Sequence, residues 1–156
     1  MPIPIAQRRF LILACTATKR PDVRLLPAID RYRGPSFRVL RRWLSDYPEA
    51  ATRLDVSILS AEFGLIPAIQ PIPDYDRRMT AARAVELRAQ VRATLEQLLA
   101  LRSYTSIYLS VGQIYHQALG DLSTITGLRT LSTAPEGAGI GTQLGALKRW
   151  LMAETA

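Results

Sequence analysis

The 156-residue chain holds one cysteine, Cys15, and one histidine, His116. A lone cysteine excludes an internal disulfide and suits a reducing compartment. One cysteine and one histidine fall short of the three or four protein ligands of a zinc site, so no metal and no cofactor is expected. The chain lacks repeats and low-complexity tracts, and no apolar run is long enough to cross a bilayer. Arg8 and Arg9 ahead of FLILAC imitate a secretion signal. The apolar core there is shorter than the roughly 7–15 residues that such a segment needs, so the expectation is a strand and a cytoplasmic protein.

What is present fits one globular domain, 1–156, with a sizeable core: 48% of residues are apolar and 21% charged. The charge is uneven. Residues 1–42 carry ten Lys or Arg against Asp22 and Asp30, the rest is near balance, and the formal net charge is +7. A localised basic region points to phosphate-bearing partners, either nucleic acid or a nucleotide-like small molecule. The alternative is a solvated, arginine-rich surface.

Phe10 to Leu13 is an unbroken apolar run, as in a strand buried on both faces. It stops at Cys15 and is followed by Thr16, Lys19, Arg20 and Pro21. Prolines and Gly34 predict a long loop over Arg20 to Gly34, and Pro35 opens a helix to about Tyr47 with Phe37, Leu40 and Leu44 inward. Leu54 to Leu59 reads as a strand, and Leu65 to Pro73 as a stiff extended loop. Thr80 can cap a helix from Ala81 to about Arg102, with an apolar stripe at Ala84, Leu87, Val91, Leu95 and Leu98. Ser106 to Val111 is a third strand, with a short helix after Gly112, and Leu128 to Ser132 is a fourth. A glycine-rich stretch, APEGAGIGTQLG, leads into a last helix with Ile140, Leu144, Leu147 and Leu151 on one face. Alternating strands and helices predict an α/β fold: a mostly parallel central sheet of about four strands flanked by helices.

In such sheets ligands bind at the carboxyl ends of the strands. Cys15 stands at one such end as a candidate nucleophile, its ionisation favoured if Lys19 or Arg20 is close. A small buried hydrophobe is the other fate of such a cysteine. Lys19 is a phosphate ligand, an acidifier of Cys15 or an imine former, and Arg20 a phosphate clamp, unless both merely solvate a loop. Glu62, beside Ser60, Phe63 and Gly64, is a candidate general acid or base, or caps a turn. Tyr75 and Asp76 emerge from the proline loop, where Tyr75 can stack on a base and Asp76 can pair with a cation or simply form a turn. Arg33 and Arg38, with Gly139 and Gly141 ahead of the last helix, are candidates for phosphate. Cys15 and His116 can pair if the third strand lies beside the first.

Taken in order, LILACTATK, YRGPSFRVLRRWL, ILSAEFGLIPAIQPIPDYDRRMT, IYLSVGQIYHQAL and GIGTQLGALKRWL resemble a family of small uncharacterised bacterial domains. That family looks like a relative of the YaaA peroxide-stress proteins. The YaaA segments Ser-Pro-Ala-Lys, Ser-Gly-x-(Tyr/Phe)-Gly and the apolar run before Asn-Glu-Tyr map to Cys15–Lys19, Ser60–Gly64 and Val111–Tyr115. The resemblance implies a YaaA-like α/β domain, a role in protecting DNA from oxidative damage, and DNA as a partner. It also puts Thr16, Ser60, Phe63, Gly64, Gly112 and Tyr115 among the substrate-binding candidates. The spacing Cys15-x-x-x-Lys19 is similar to a segment of archaeosine synthase, which acts on the nitrile of a 7-deazaguanine base. DpdC, of bacterial 7-deazaguanine DNA modification, is similar to YaaA in part. These likenesses imply that Cys15 adds to a nitrile carbon, that Lys19 or Glu62 moves protons, and that water releases the product.

Overall fold

The computed structural model describes residues 7–125, 127–128, 130–135 and 137–153. Strand β1 (Arg9–Ala14) is the centre of a five-stranded sheet ordered β4-β3-β1-β6-β7. Phe10, Leu11, Ile12 and Leu13 are buried on both faces, as their unbroken apolar run requires. β1 runs parallel to β3 (Leu54–Ser60) and to β6 (Ser106–Ser110), and β6 runs parallel to β7 (Leu131–Thr133). The expected strand over Leu128–Ser132 is thus confined to its end. Arg129 in that stretch, and Glu136 in the glycine-rich one, lie outside the described residues.

The chain steps from β1 to β3 on one side and then from β3 across to β6 on the other. Right-handed crossovers in opposite directions place their helices on opposite faces. Accordingly α2 (Pro35–Asp46) packs with α6 (Ile140–Met152), and α4 (Ala81–Leu101) packs with α5 (Gln113–Leu119). α2 buries Phe37, Leu40 and Trp43, with Leu44 only half-buried. Thr80 caps α4 by accepting from the Arg83 N–H, and Ala84, Leu87, Val91 and Leu95 face the core. Of the expected stripe on α6, Leu147 and Leu151 are buried, whereas Ile140 in the first turn is 61% exposed.

Two stretches expected as loops hold regular structure. Within Leu65 to Pro73 lie β4 (Gly64–Pro67), antiparallel to β3, and β5 (Pro71–Ile72). Pro67 ends an edge strand and Pro71 begins one, positions where a missing N–H is tolerated. Gly64 turns the chain back at φ 75°, a conformation that suits glycine. Within Arg20 to Gly34, β2 (Leu26–Pro27) pairs with β5, and α1 (Ala28–Arg31) follows. The fully buried Arg31 guanidinium holds this segment by donating to the carbonyls of Arg20, Asp22, Arg24 and Ile72 at 2.7, 2.8, 2.6 and 3.1 Å. A short helix, α3 (Pro48–Ala51), leads into β3.

Candidate active site

Connections leave β1 toward β3 and leave β6 toward β7, so the carboxyl ends of β1 and β6 part from one another. Such a switch point opens a crevice in an α/β sheet. Here it is a cleft of 570 Å³, floored by Cys15 and Thr16 after β1, flanked by Gly112 and His116 from the β6–α5 side, and closed by Gly137 and Gln143 near α6. Ser36, in the first turn of α2, completes the rim. The volume suits one nucleobase or nucleoside, within the 300–1,000 Å³ or so of small-molecule sites. A Cβ added at Gly112, Gly139 or Gly141 would meet nothing within 4 Å, so the backbone at the starts of α5 and α6 is open to close approach.

Cys15 is 8% exposed and lines this cleft. β1 register puts it level with the end of β3, since the Cys15 N–H donates to the Leu59 carbonyl at 3.0 Å. Its Sγ accepts from the Ala61 N–H at 3.4 Å and meets the Tyr115 hydroxyl at 3.3 Å. Tyr115 Oη also donates to the Cys15 carbonyl at 3.2 Å. Tyr115 comes from α5, whose far end is fixed to α4 by Arg88 and Arg92 donating to the carbonyls of Gln117 and Leu119. β6 does lie beside β1, and His116 shares the cleft, but the thiol's partner is Tyr115.

Behind the thiol sits a cluster of hydroxyls. Tyr32, fully buried, approaches Ser60 Oγ at 3.3 Å and Tyr75 Oη at 2.5 Å, and Ser60 Oγ lies 3.0 Å from Tyr75 Oη. Burial pushes the Tyr32 hydroxyl up to about 12. Burial, with the neighbouring Cys15, raises Tyr75 and Tyr115 further, so all three stay protonated near neutral pH. The Lys19 ammonium lies 4.4 Å from the Tyr75 ring centroid, and Phe63 meets the same ring edge-on at 5.4 Å. Tyr75 is therefore built into the wall. With Lys19 over its ring and its hydroxyl turned inward, it is not an open platform for a base.

Other expected site residues have different surroundings. The Glu62 carboxylate turns to Arg77 at 3.4 Å and does not line the cleft. The Glu62 backbone serves the site instead, for Arg83 grips the Ala61 and Glu62 carbonyls at 2.7 and 3.0 Å. Asp76 is exposed, and Arg77 pairs with Glu62 and Glu86 rather than with it. Gly64 serves the β3–β4 turn. The Thr16 hydroxyl binds the Thr18 carbonyl and the Gly34 N–H, and Gly34 must lack a Cβ because one would fall 2.3 Å from Thr16 Cγ2.

The basic first third is largely committed inward. Arg8 pairs with Asp55, Arg24 with Asp22 and Arg42 with Asp46. Arg9 stacks 4.4 Å from the Trp150 ring and caps the end of α6. Arg41 donates to the Ile29 and Tyr32 carbonyls at 2.8 and 2.9 Å. Arg20, Arg33 and Arg38 remain exposed.

Sequence reasoning missed Tyr32, Ser110 and Gln143. Tyr32 gave no signal: it sits in a proline-flanked stretch whose folding depends on the distant Ile72 carbonyl. Ser110 was detectable as a polar residue ending a strand next to β1. Among the described residues, no helix is long and apolar enough to cross a membrane, and no three His, Cys, Asp or Glu side chains gather as metal ligands.

No curated protein and no solved structure matches the chain. A family model does, over residues 10–149, from the start of the central strand to the last helix. The cleft, its thiol and the hydroxyl cluster all fall within that span, and the chain belongs to this family of unknown function, DUF6884.

Proposed function

We propose that the protein is an enzyme that acts on a nucleobase or nucleic-acid base through Cys15, by nitrile or amide chemistry of the kind a 7-deazaguanine undergoes. The observation that carries this is the setting of the thiol. It stands on the floor of a base-sized cleft at the switch point, with an amide N–H and a protonated hydroxyl within reach of sulfur. Both donors can solvate negative charge on sulfur as its proton leaves, as preorganised donors do at developing anions. The sulfur lone pair then adds to the nitrile carbon, and the nitrogen gains a proton to give a thioimidate. Water adds to that carbon, and collapse expels the thiol and leaves an amide. Tyr115 replaces Glu62 as the group beside the reacting sulfur. Arg33 and Arg38, with the open backbone at Gly139 and Gly141, are where a phosphate on the base would be met.

The test is mass spectrometry of the protein incubated with 7-cyano-7-deazaguanine. A covalent adduct of the base, lost in Cys15→Ala, is expected. A second reading, a noncatalytic DNA-binding or DNA-protection module, rests on the exposed Arg20, Arg33 and Arg38. Absence of any adduct, with tight DNA binding by Cys15→Ala whose salt slope falls by about 0.7–0.9 for each of these arginines neutralised, would replace the first reading by the second.

A further inference from the structure

Tyr32, Ser60 and Tyr75 share three protons, and the directions of those protons can be derived. Ser60 Oγ accepts the N–H groups of Glu62 and Phe63, both at 3.2 Å. A hydroxyl oxygen has two lone pairs, so both are occupied and Ser60 acts as a donor. Its acceptor is Tyr75 Oη at 3.0 Å. The Tyr32 proton has two oxygens in reach: the saturated Ser60 at 3.3 Å and Tyr75 at 2.5 Å. The shorter contact, to the oxygen that still has room, takes it. Tyr75 Oη thus accepts twice, and its own proton has no acceptor inside the triad.

Three features make that proton useful. Donation from two sides polarises the O–H bond. The Lys19 ammonium, 4.4 Å from the ring centroid, stabilises the charge the ring gains as the proton leaves. The thiol is close, because Ala61, whose N–H meets Cys15 Sγ at 3.4 Å, directly follows Ser60. Burial and the neighbouring Cys15 keep Tyr75 protonated at neutral pH, so it is a donor and not a base.

We infer that Tyr75 is the hydrogen-bond donor to the substrate during attack by Cys15, and that the substrate is a carbon electrophile whose attached nitrogen takes up charge as sulfur adds. This rests on the nucleophilic role of Cys15 and narrows its partners to C≡N or C=N carbons, as opposed to alkylating agents that expel a leaving group. In the step, the sulfur lone pair forms the S–C bond and one C≡N π pair moves to nitrogen. Nitrogen takes the Tyr75 proton. The proton lost from Cys15 passes through water in the cleft and restores Tyr75. The net change is R–SH + N≡C–R′ → R–S–C(=NH)–R′, with no oxidant and no leaving group.

The test compares two probes at Cys15: 2-cyanopyrimidine, a base-shaped nitrile that needs a proton on nitrogen, and iodoacetamide, which needs none. Tyr75→Phe keeps the ring under Lys19 and against Phe63. The variant is expected to lose about 100-fold in thioimidate formation, the loss typical of one oxyanion-type donor, with its iodoacetamide rate within two-fold of wild type. Equal rates for both probes in wild type and variant would overturn the inference. So would equal slowing of both, which would make Tyr75 a packing residue, and so would a wild-type thiol that reacts with iodoacetamide but not with the nitrile. A negative result with 7-cyano-7-deazaguanine alone would remove the proposed substrate and leave this donor role standing.

Discussion

The Tyr115 hydroxyl stands 3.3 Å from the sulfur of Cys15 and 3.2 Å from the carbonyl oxygen of the same residue. One proton thus has two acceptors on a single residue. While the thiol is protonated, Tyr115 donates to the carbonyl. As sulfur loses its proton, the same hydroxyl can turn to it without moving the ring. The donor to the anion is in place before the anion exists, which removes reorganisation from the barrier.

That arrangement predicts the effect of Tyr115→Phe. Iodoacetamide should alkylate Cys15 about five-fold more slowly, the worth of about one hydrogen bond. Burial, reinforced by Cys15, raises the Tyr115 pKa, so the phenol keeps its proton through neutral pH. The ratio of wild-type to variant rates should therefore be flat from about pH 6 to about pH 9, below the ordinary tyrosine range. Stopped-time alkylation read by mass spectrometry measures it. A ratio near one at every pH would separate Tyr115 from the chemistry.

At the opposite edge of the sheet, Asp55 binds Arg8, the Tyr104 hydroxyl at 2.6 Å and Arg102 at 3.3 Å. It ties the start of β1 to the end of α4. Partial burial pushes its pKa up, but the hydrogen bonds from Arg8 and Tyr104 and the two cations outweigh this and hold it below 3.8. A carboxylate with a depressed folded-state pKa contributes stability that is present above its unfolded value and lost as pH falls through the folded one. Asp55→Asn should cost about 1–2 kcal/mol at neutral pH, discounted for partial exposure. The two proteins should converge in stability as pH drops below about 4. Urea melts at several pH values would show the convergence, and parallel curves would contradict it.

Arg31 has no acidic partner and is fully buried. Its guanidinium is satisfied by four backbone carbonyls from two separate segments. Arg31→Met would leave those acceptors without a donor, at a total of at least about 3 kcal/mol. Because Lys19 bridges to Tyr32 beside this clamp, the loss should also appear at the site. The expected outcome is a lower urea midpoint together with faster proteolysis within residues 20–27. A variant that melts like wild type would show that the carbonyls find water instead.

How much of this was legible beforehand depended on how local the cause was. β1 announced itself because four apolar residues in a row suit a strand buried on both faces. α4 did so because Thr80 and its 3.6-residue stripe lie within the helix itself. The segment over Arg20 to Gly34 was opaque, since its order comes from Arg31 reaching Ile72, forty-one residues on. β4 and β5 were hidden behind prolines that only their edge positions excuse. At the site, Cys15 was named from its place at a strand end, and Lys19, Ser60, Phe63, Tyr75 and Tyr115 were named with it. Their roles were not readable. Glu62 looked catalytic because a carboxylate after a strand end often is, yet Arg77 draws it outward. The charge count promised a basic face, but most of those arginines reach carbonyls and carboxylates that only the folded chain supplies.

The position of β1 at the middle of the sheet has a consequence for biosynthesis. Its two neighbours, β3 and β6, lie about 40 and 100 residues downstream. At about 5–20 residues per second, the ribosome completes β6 about 5–20 s after β1. Throughout that interval the most apolar strand of the chain is made but has one or both edges unpaired. Nascent chains stalled before Ser110 should bind holdase chaperones through Phe10–Leu13, and those stalled well beyond Thr133 should not.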